Sequence, residues 1–135
     1  MRIAMVVFLA TLTFGVTQGH AYCVYNKTQG YISEVHGEFC GSCLSSGMLS
    51  PGGKTCCPGD KKGCRGETLI TVSVPGPKIE FTPKMHYGHC GKKVTAHGWV
   101  KIYGGKGLPG EIYSCEVYND KGTLIWKGAL LEGRE

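Results

Sequence analysis

The sequence has little charge and few of the patterns that mark elongated or disordered proteins. Only 19% of its 135 residues are charged, no long run carries one sign, and the 22 glycines show no three-residue period. A disordered chain and a collagen are therefore excluded, since 41% of the residues are hydrophobic and can form a globular core. A chain of this length is expected to form one domain.

The sequence also lacks the common signatures of catalysis. It has no amphipathic helical segment, no Gly-x-Ser-x-Gly elbow, no His-Glu-x-x-His pair and no glycine loop followed by a helix that would hold phosphate. Glu111 and Glu116 have opposite parity along one predicted strand and so point to opposite faces. We therefore predict that the protein is not an enzyme and uses no cofactor.

Basic residues exceed acidic ones, 15 to 10, but they do not form a stripe. Lys54, Lys61, Lys62 and Arg65 lie close together, whereas the remaining basic residues are scattered among glutamates. A nucleic-acid partner is therefore not expected. A mild positive charge is compatible with an anionic cell wall or lipid surface.

The first residues have the organisation of a secretory signal peptide. Arg2 is followed by an apolar stretch over Ile3–Leu12, and Gly19 and Ala21 place small residues three and one positions before Tyr22. The apolar stretch is interrupted too early to span a membrane, which takes about 20 residues. We predict a signal peptide at 1–21 and a single secreted, extracellular domain at 22–135, with no membrane span.

Eight cysteines follow the predicted cleavage point. An even number in an oxidising compartment predicts four disulfides, whose pairing the sequence leaves open apart from disfavouring a bridge between adjacent residues. Zinc is the alternative for the Cys-x-x-Cys pair, although the later cysteines lack the spacing of a zinc ribbon. The cysteines are Cys23, Cys40, Cys43, Cys56, Cys57, Cys64, Cys90 and Cys115.

The mature chain divides near residue 67. Residues 22–67 are rich in cysteine, glycine and serine and predict a loop-rich part held by disulfides, to which Tyr22–Tyr25 and Tyr31–Val35 can add edge strands. Residues 68–135 alternate with a period of two and predict strands. The predicted fold is all-β, a small antiparallel sandwich or barrel.

Several details of the β-rich part can be predicted. Ile70, Val72 and Val74 alternate with polar residues, and Pro75-Gly76-Pro77 predicts a turn before a second short strand. Val94–Tyr103 predicts another strand, and Asn119-Asp120-Lys121-Gly122 predicts the turn of a hairpin. Because Pro83 precedes it, the segment around His86 is expected to be an irregular loop.

One group of motifs resembles a known class of protein. Tyr22-Cys23, Asn26-Lys27 and the stretch Pro51-Gly52-x-x-x-Cys56-Cys57-Pro58, with Cys64, Cys90, Gly98-Trp99-Val100 and Cys115 after it, are similar to small secreted cysteine-rich proteins of filamentous fungi. The Cys40 and Cys43 pair departs from that pattern. The resemblance implies secretion and a β-rich fold, and it implies no activity.

The strand Val94–Tyr103 carries the candidate binding residues. His97, Trp99, Lys101 and Tyr103 share one parity, and their flat rings and polar ends suit a sugar or a protein pocket. The alternatives are that Trp99 lies in the core and the small residues face outward, or that both faces of the strand are covered in a sandwich. Asn26-Lys27-Thr28 is an acceptor for N-linked sugar, and its polar surroundings predict a surface position. We therefore predict that Asn26 is glycosylated in a eukaryotic host.

Histidines supply the candidate metal ligands. His86 and His89 flank a short segment next to Cys90, and His20 becomes the N-terminus if cleavage follows Gly19 instead of Ala21. Two exposed loop histidines without a metal are the expected state of the first pair. No metal site is therefore predicted.

The signal peptide, the cysteines and the aromatic strand together predict a secreted, disulfide-rich, non-enzymatic binding protein. It is expected to be effector-like or to act at a cell surface. Its partner is expected to be an extracellular protein or a cell-wall polysaccharide, and the oligomeric state stays open. Three alternatives also remain open: a cationic antimicrobial protein, a carbohydrate-binding module, and a small secreted copper or zinc metalloenzyme.

Overall fold

The computed structural model of the protein describes residues 20–38, 44–79, 82–104 and 113–132. Within these ranges the chain forms β-strands and one short 3-10 helix, Lys62–Cys64, and no α-helix. The strands are β1 (His20–Asn26), β2 (Glu34–Glu38), β3 (Ser45–Ser46), β4 (Lys54–Pro58), β5 (Leu69–Ile79), β6 (Thr82–His89), β7 (Gly98–Tyr103), β8 (Ser114–Tyr118), β9 (Leu124–Ala129) and β10 (Leu131–Glu132).

The strands form two five-stranded sheets that share one core. The first sheet has the order β4-β1-β7-β8-β9, and the second has the order β10-β6-β5-β2-β3. Val24, Val100 and Ile102 from the first sheet pack in one buried cluster with Val35 and Val72 from the second. The predicted all-β fold is confirmed. The first sheet is mixed, not purely antiparallel, because β1 and β7 run parallel.

The alternating residues at the start of β5 form a strand, as predicted, but the strand is longer than expected. Ile70, Val72 and Val74 are buried in the core. The predicted turn at Pro75–Pro77 is wrong, because β5 continues through it and its register with β6 shifts between Pro75 and Lys78. Such an irregularity accommodates prolines, which cannot donate to the ladder.

The part predicted as loops contains four of the strands. β1 lies between β4 and β7, and β2 lies between β3 and β5, so neither is an edge strand. These segments are short and carry no sustained alternation, and long-range pairing determines their conformation in place of local preference. The predicted loop around His86 is likewise wrong, since His86 and His89 both belong to β6.

The predicted hairpin turn between β8 and β9 is confirmed. The Asn119 side chain accepts hydrogen bonds from the backbone of Lys121 at 3.0 Å and of Thr123 at 2.9 Å. Gly122 has a φ of 79°, in the left-handed region that glycine adopts without strain. Asparagine and glycine at these positions therefore fix the register of β8 and β9.

Six of the cysteines form three disulfides. Cys23–Cys56 joins directly opposed residues of β1 and β4, and Cys57–Cys64 ties β4 to the 3-10 helix. Cys90–Cys115 connects the end of β6 to β8 and so links the two sheets. Cys40 and Cys43, the remaining pair of the four predicted bridges, lie outside the described residues.

Candidate binding face

The side chains of β7 alternate between the core and the outside. Val100 and Ile102 are fully buried, whereas Trp99, Lys101 and Tyr103 are partly exposed on the opposite side of the strand. The small residues therefore face the core, and the alternative that Trp99 lies in the core is wrong. We call the solvent side of the first sheet the outer face.

Trp99 and Tyr118 form an aromatic stack on the outer face. They are directly opposed in the β7–β8 ladder, and their ring centroids are 5.4 Å apart with an angle of 16° between the planes. A Cβ placed on Gly122 would lie only 3.4 Å from the Trp99 ring, so the β8–β9 turn packs closely against the indole. The stack thus lies beside the turn that joins β8 and β9.

The amino group of Lys101 lies over the Tyr118 ring. Its Nζ is 5.0 Å from the ring centroid, within the range of a cation–π contact. Lys27 makes a similar contact with Tyr25 at 5.8 Å, one strand away on β1. These contacts orient two cations on the outer face.

Glu116 connects two tyrosines of the same face. The Tyr118 hydroxyl donates a hydrogen bond to Glu116 Oε2. This hydrogen bond, with partial desolvation and the negative charge of Glu116, raises the pKa of Tyr118 to about 12. Desolvation first, and then Glu116, raises the pKa of Tyr103. Both hydroxyls therefore stay protonated through the physiological range, and that of Tyr118 remains the donor to Glu116.

His97 does not belong to this strand. It occupies a turn in which the Gly98 amide donates to the Thr95 carbonyl at 3.0 Å, and its own amide donates to Ala21. Its φ of 61° is unusual for a residue with a side chain. The predicted strand over Val94–Tyr103 therefore begins only at Gly98, and the parity that grouped His97 with Trp99 does not hold beyond the strand.

Asn26 is buried, and its predicted surface position is wrong. Its Nδ2 donates to the Gly30 and Leu49 carbonyls, each at 2.9 Å. Its Oδ1 accepts from the Thr28 amide at 2.9 Å and from the Thr28 hydroxyl at 2.7 Å. The polar sequence around it reflects this internal network. A sugar on Nδ2 would remove one of these donors and would have no space in the folded protein.

The predicted metal candidates lie on strands of two different sheets. His89 is partly exposed on the second sheet and His86 lies in the same strand, while His20 begins β1 in the first sheet. In the part of the chain that the structure describes, no three His, Cys, Asp or Glu side chains converge on a position that fits a metal ion. The disulfides also remove Cys56, Cys57 and Cys64 from the predicted zinc alternative.

The outer face includes residues that the sequence analysis did not single out. Tyr118 and Glu116 were missed as partners of Trp99, Lys101 and Tyr103. The signal was available in the pattern of β8, because Cys115 and Val117 are buried and their neighbours must then face outward. The hairpin turn then fixes which residues of the next strand lie beside them.

Comparison with models of protein families, with curated proteins and with solved structures finds no match. Among the described residues, no helix has the length and hydrophobicity needed to cross a membrane. Three disulfides in a chain of this size are consistent with an extracellular protein.

Proposed function

We propose that the protein is a secreted, non-enzymatic binding protein that acts at a cell surface through the outer face of the first sheet. The observation that carries the proposal is the Trp99–Tyr118 stack with Lys101 over the Tyr118 ring. Aromatic side chains held rigidly outside the core present a large contact area at a low cost in conformational entropy. Such residues are the usual anchors of binding surfaces.

The effector-like and cell-surface parts of the proposal are supported by the predicted signal peptide, by the disulfides and by the resemblance to small secreted cysteine-rich fungal proteins. The partner is an extracellular protein or a cell-wall polysaccharide. A carbohydrate-binding module is the second candidate, because flat rings on a sheet surface are suited to stacking on sugar rings. The stacked geometry of Trp99 and Tyr118 favours this candidate over an antimicrobial action, which would depend on charge alone.

The test is sedimentation of the secreted protein with insoluble cell-wall material. We expect the wild-type protein to sediment, and Trp99→Ala to remain in the supernatant. Tyr87→Ala is the matched control, because it also removes an exposed aromatic ring. Tyr87 is 58% exposed and lies on the second sheet, away from the outer face. Melting curves of both variants check that they are folded. Equal sedimentation of wild type and Trp99→Ala would overturn the proposal.

A further inference from the structure

A row of four charged residues and one tyrosine crosses the whole first sheet. In the strand register, Lys54 is opposite Tyr25, Tyr25 is opposite Lys101, Lys101 is opposite Glu116, and Glu116 is opposite Lys127. Residues opposed in register point to the same side of a sheet, so all five belong to the outer face. Lys54 and Lys127 are exposed, and the three between them are partly exposed.

The lysines of this row are evenly spaced. Lys54, Lys101 and Lys127 lie on β4, β7 and β9, which are each separated by one intervening strand. Neighbouring strands are about 4.8 Å apart, so successive lysine positions are about 10 Å apart. A disaccharide unit of an extended polysaccharide has about this length.

The residues between the lysines are suited to a sugar. Tyr25 and the Trp99–Tyr118 stack beside the row offer partly exposed aromatic surface, and Glu116 offers carboxylate oxygens that accept hydrogen bonds from hydroxyls. Glu116 would repel a ligand with a negative charge at every position, such as an acidic peptide. The row therefore fits an extended uronic acid chain in which successive residues face opposite sides, because the carboxylates on one side then recur once per disaccharide, with hydroxyls between them.

From this arrangement we infer that the outer face binds an acidic polysaccharide, a chain of uronic acid residues, that lies across the strands along the row from Lys54 to Lys127. The inference rests on the proposed function and names the class of its partner. The uronate carboxylates pair with the lysine amino groups, and the sugar rings lie against Tyr25 and the Trp99–Tyr118 stack. The hydroxyls between the carboxylates donate to Glu116.

The test compares three soluble probes by titration calorimetry: polygalacturonate, the same polymer with its carboxylates methyl-esterified, and polyglutamate. We expect binding to polygalacturonate that weakens with added salt. Esterification removes the charge and keeps the sugar rings, whereas polyglutamate keeps the charge and lacks the rings. Both should bind at least about tenfold more weakly, because the ester loses the charge-assisted hydrogen bonds to lysine and polyglutamate loses the contacts of the sugar rings.

Matched lysine variants locate the site. Lys101→Met and Lys127→Met should each weaken binding to polygalacturonate about tenfold. Lys92→Met changes the same charge at an exposed position between β6 and β7 and should leave binding unchanged. Melting curves establish that the three variants are folded.

The outcomes separate this inference from the proposed function. If the methyl ester or polyglutamate binds as well as polygalacturonate, or if Lys92→Met weakens binding as much as Lys101→Met, the acidic-polysaccharide inference is wrong. In those cases Trp99-dependent sedimentation with cell-wall material still supports a binding face for another partner. If Trp99→Ala sediments as the wild type does, both are wrong.

Discussion

Tyr118 is the residue around which the outer face is organised. The Tyr118 ring stacks on the Trp99 ring and lies under the amino group of Lys101. The Tyr118 hydroxyl donates a hydrogen bond to Glu116. A tyrosine so placed combines a stacking surface with a fixed hydrogen bond. The orientation of the Glu116 carboxylate between Lys101 and Lys127 therefore depends on Tyr118.

Replacing Glu116 should change the ionisation of Tyr118. The folded protein holds the pKa of Tyr118 at about 12, above the usual value near 10, chiefly through the hydrogen bond to Glu116. A raised folded pKa contributes stability that is present below about pH 10 and is lost as the pH rises toward about 12. Glu116→Gln should therefore lower the pKa of Tyr118. The tyrosinate absorbance is titrated in the wild type and in Glu116→Gln, each with and without Tyr118→Phe, and the difference within each pair is the signal of Tyr118. An unchanged titration would contradict the assigned cause.

Asn26 stabilises the fold from inside, and its replacement should be costly. Asn26→Asp deletes both Nδ2 donors and places carboxylate oxygens against the Gly30 and Leu49 carbonyls. We expect a loss of about 3 kcal/mol or more in the free energy of unfolding. Thr28→Ser is the control, because it keeps both the hydroxyl and the glycosylation sequence.

The buried position of Asn26 also predicts that the residue carries no sugar. The folded wild-type protein should show no change in mass on glycosidase treatment; a glycan on Asn26 would contradict the buried position.

At the scale of the element, β7 shows where sequence reasoning succeeds and where it fails. Its alternation predicted the partly exposed side of Trp99, Lys101 and Tyr103 because a strand places successive side chains on opposite faces. The same rule misplaced His97, since a turn precedes the strand. The strands β1 and β2 were not placed inside their sheets because pairing partners distant in sequence leave no local pattern.

The site was predictable only on one strand for the same reason. Trp99, Lys101 and Tyr103 follow from one alternating segment, whereas Tyr25 and Lys54 join them through the parallel pairing of β1 with β7 and the pairing of β1 with β4. Nothing in the sequence indicates a parallel neighbour for β7. A row of residues that crosses five strands therefore becomes visible only once the strand order is known.

The two faces of β7 should respond differently to truncation. Trp99→Ala removes a partly exposed stack, and we expect a loss of about 1–2 kcal/mol in the free energy of unfolding. Ile102→Ala leaves a cavity at a fully buried position and should cost about 2–5 kcal/mol. Urea unfolding of both variants measures the difference. A larger loss for Trp99→Ala than for Ile102→Ala would place the indole in the core and contradict its assignment to the outer face.

At the scale of the whole molecule, one core and one disulfide hold the two sheets together. The inner faces of both sheets contribute to a single buried cluster, and Cys90–Cys115 links them across it. A domain of this size has a modest core, and disulfides that restrict the unfolded chain add to its stability. The outer face can carry polar and aromatic residues because the core stabilises the fold from the other side of the sheet.

The three disulfides should therefore differ in their resistance to reduction. Cys23 and Cys56 are partly exposed on the outer face, whereas Cys57, Cys64, Cys90 and Cys115 are fully buried. Thiol–disulfide exchange needs access to a sulfur, so the buried bridges should open only when the surrounding structure opens. Graded reduction of the native protein, followed by alkylation and peptide mass spectrometry, should label Cys23 and Cys56 first. In denaturant, where burial no longer protects any bridge, the difference between Cys23–Cys56 and Cys90–Cys115 should largely disappear. Equal labelling of these two bridges in the native protein would contradict the protective role of the core.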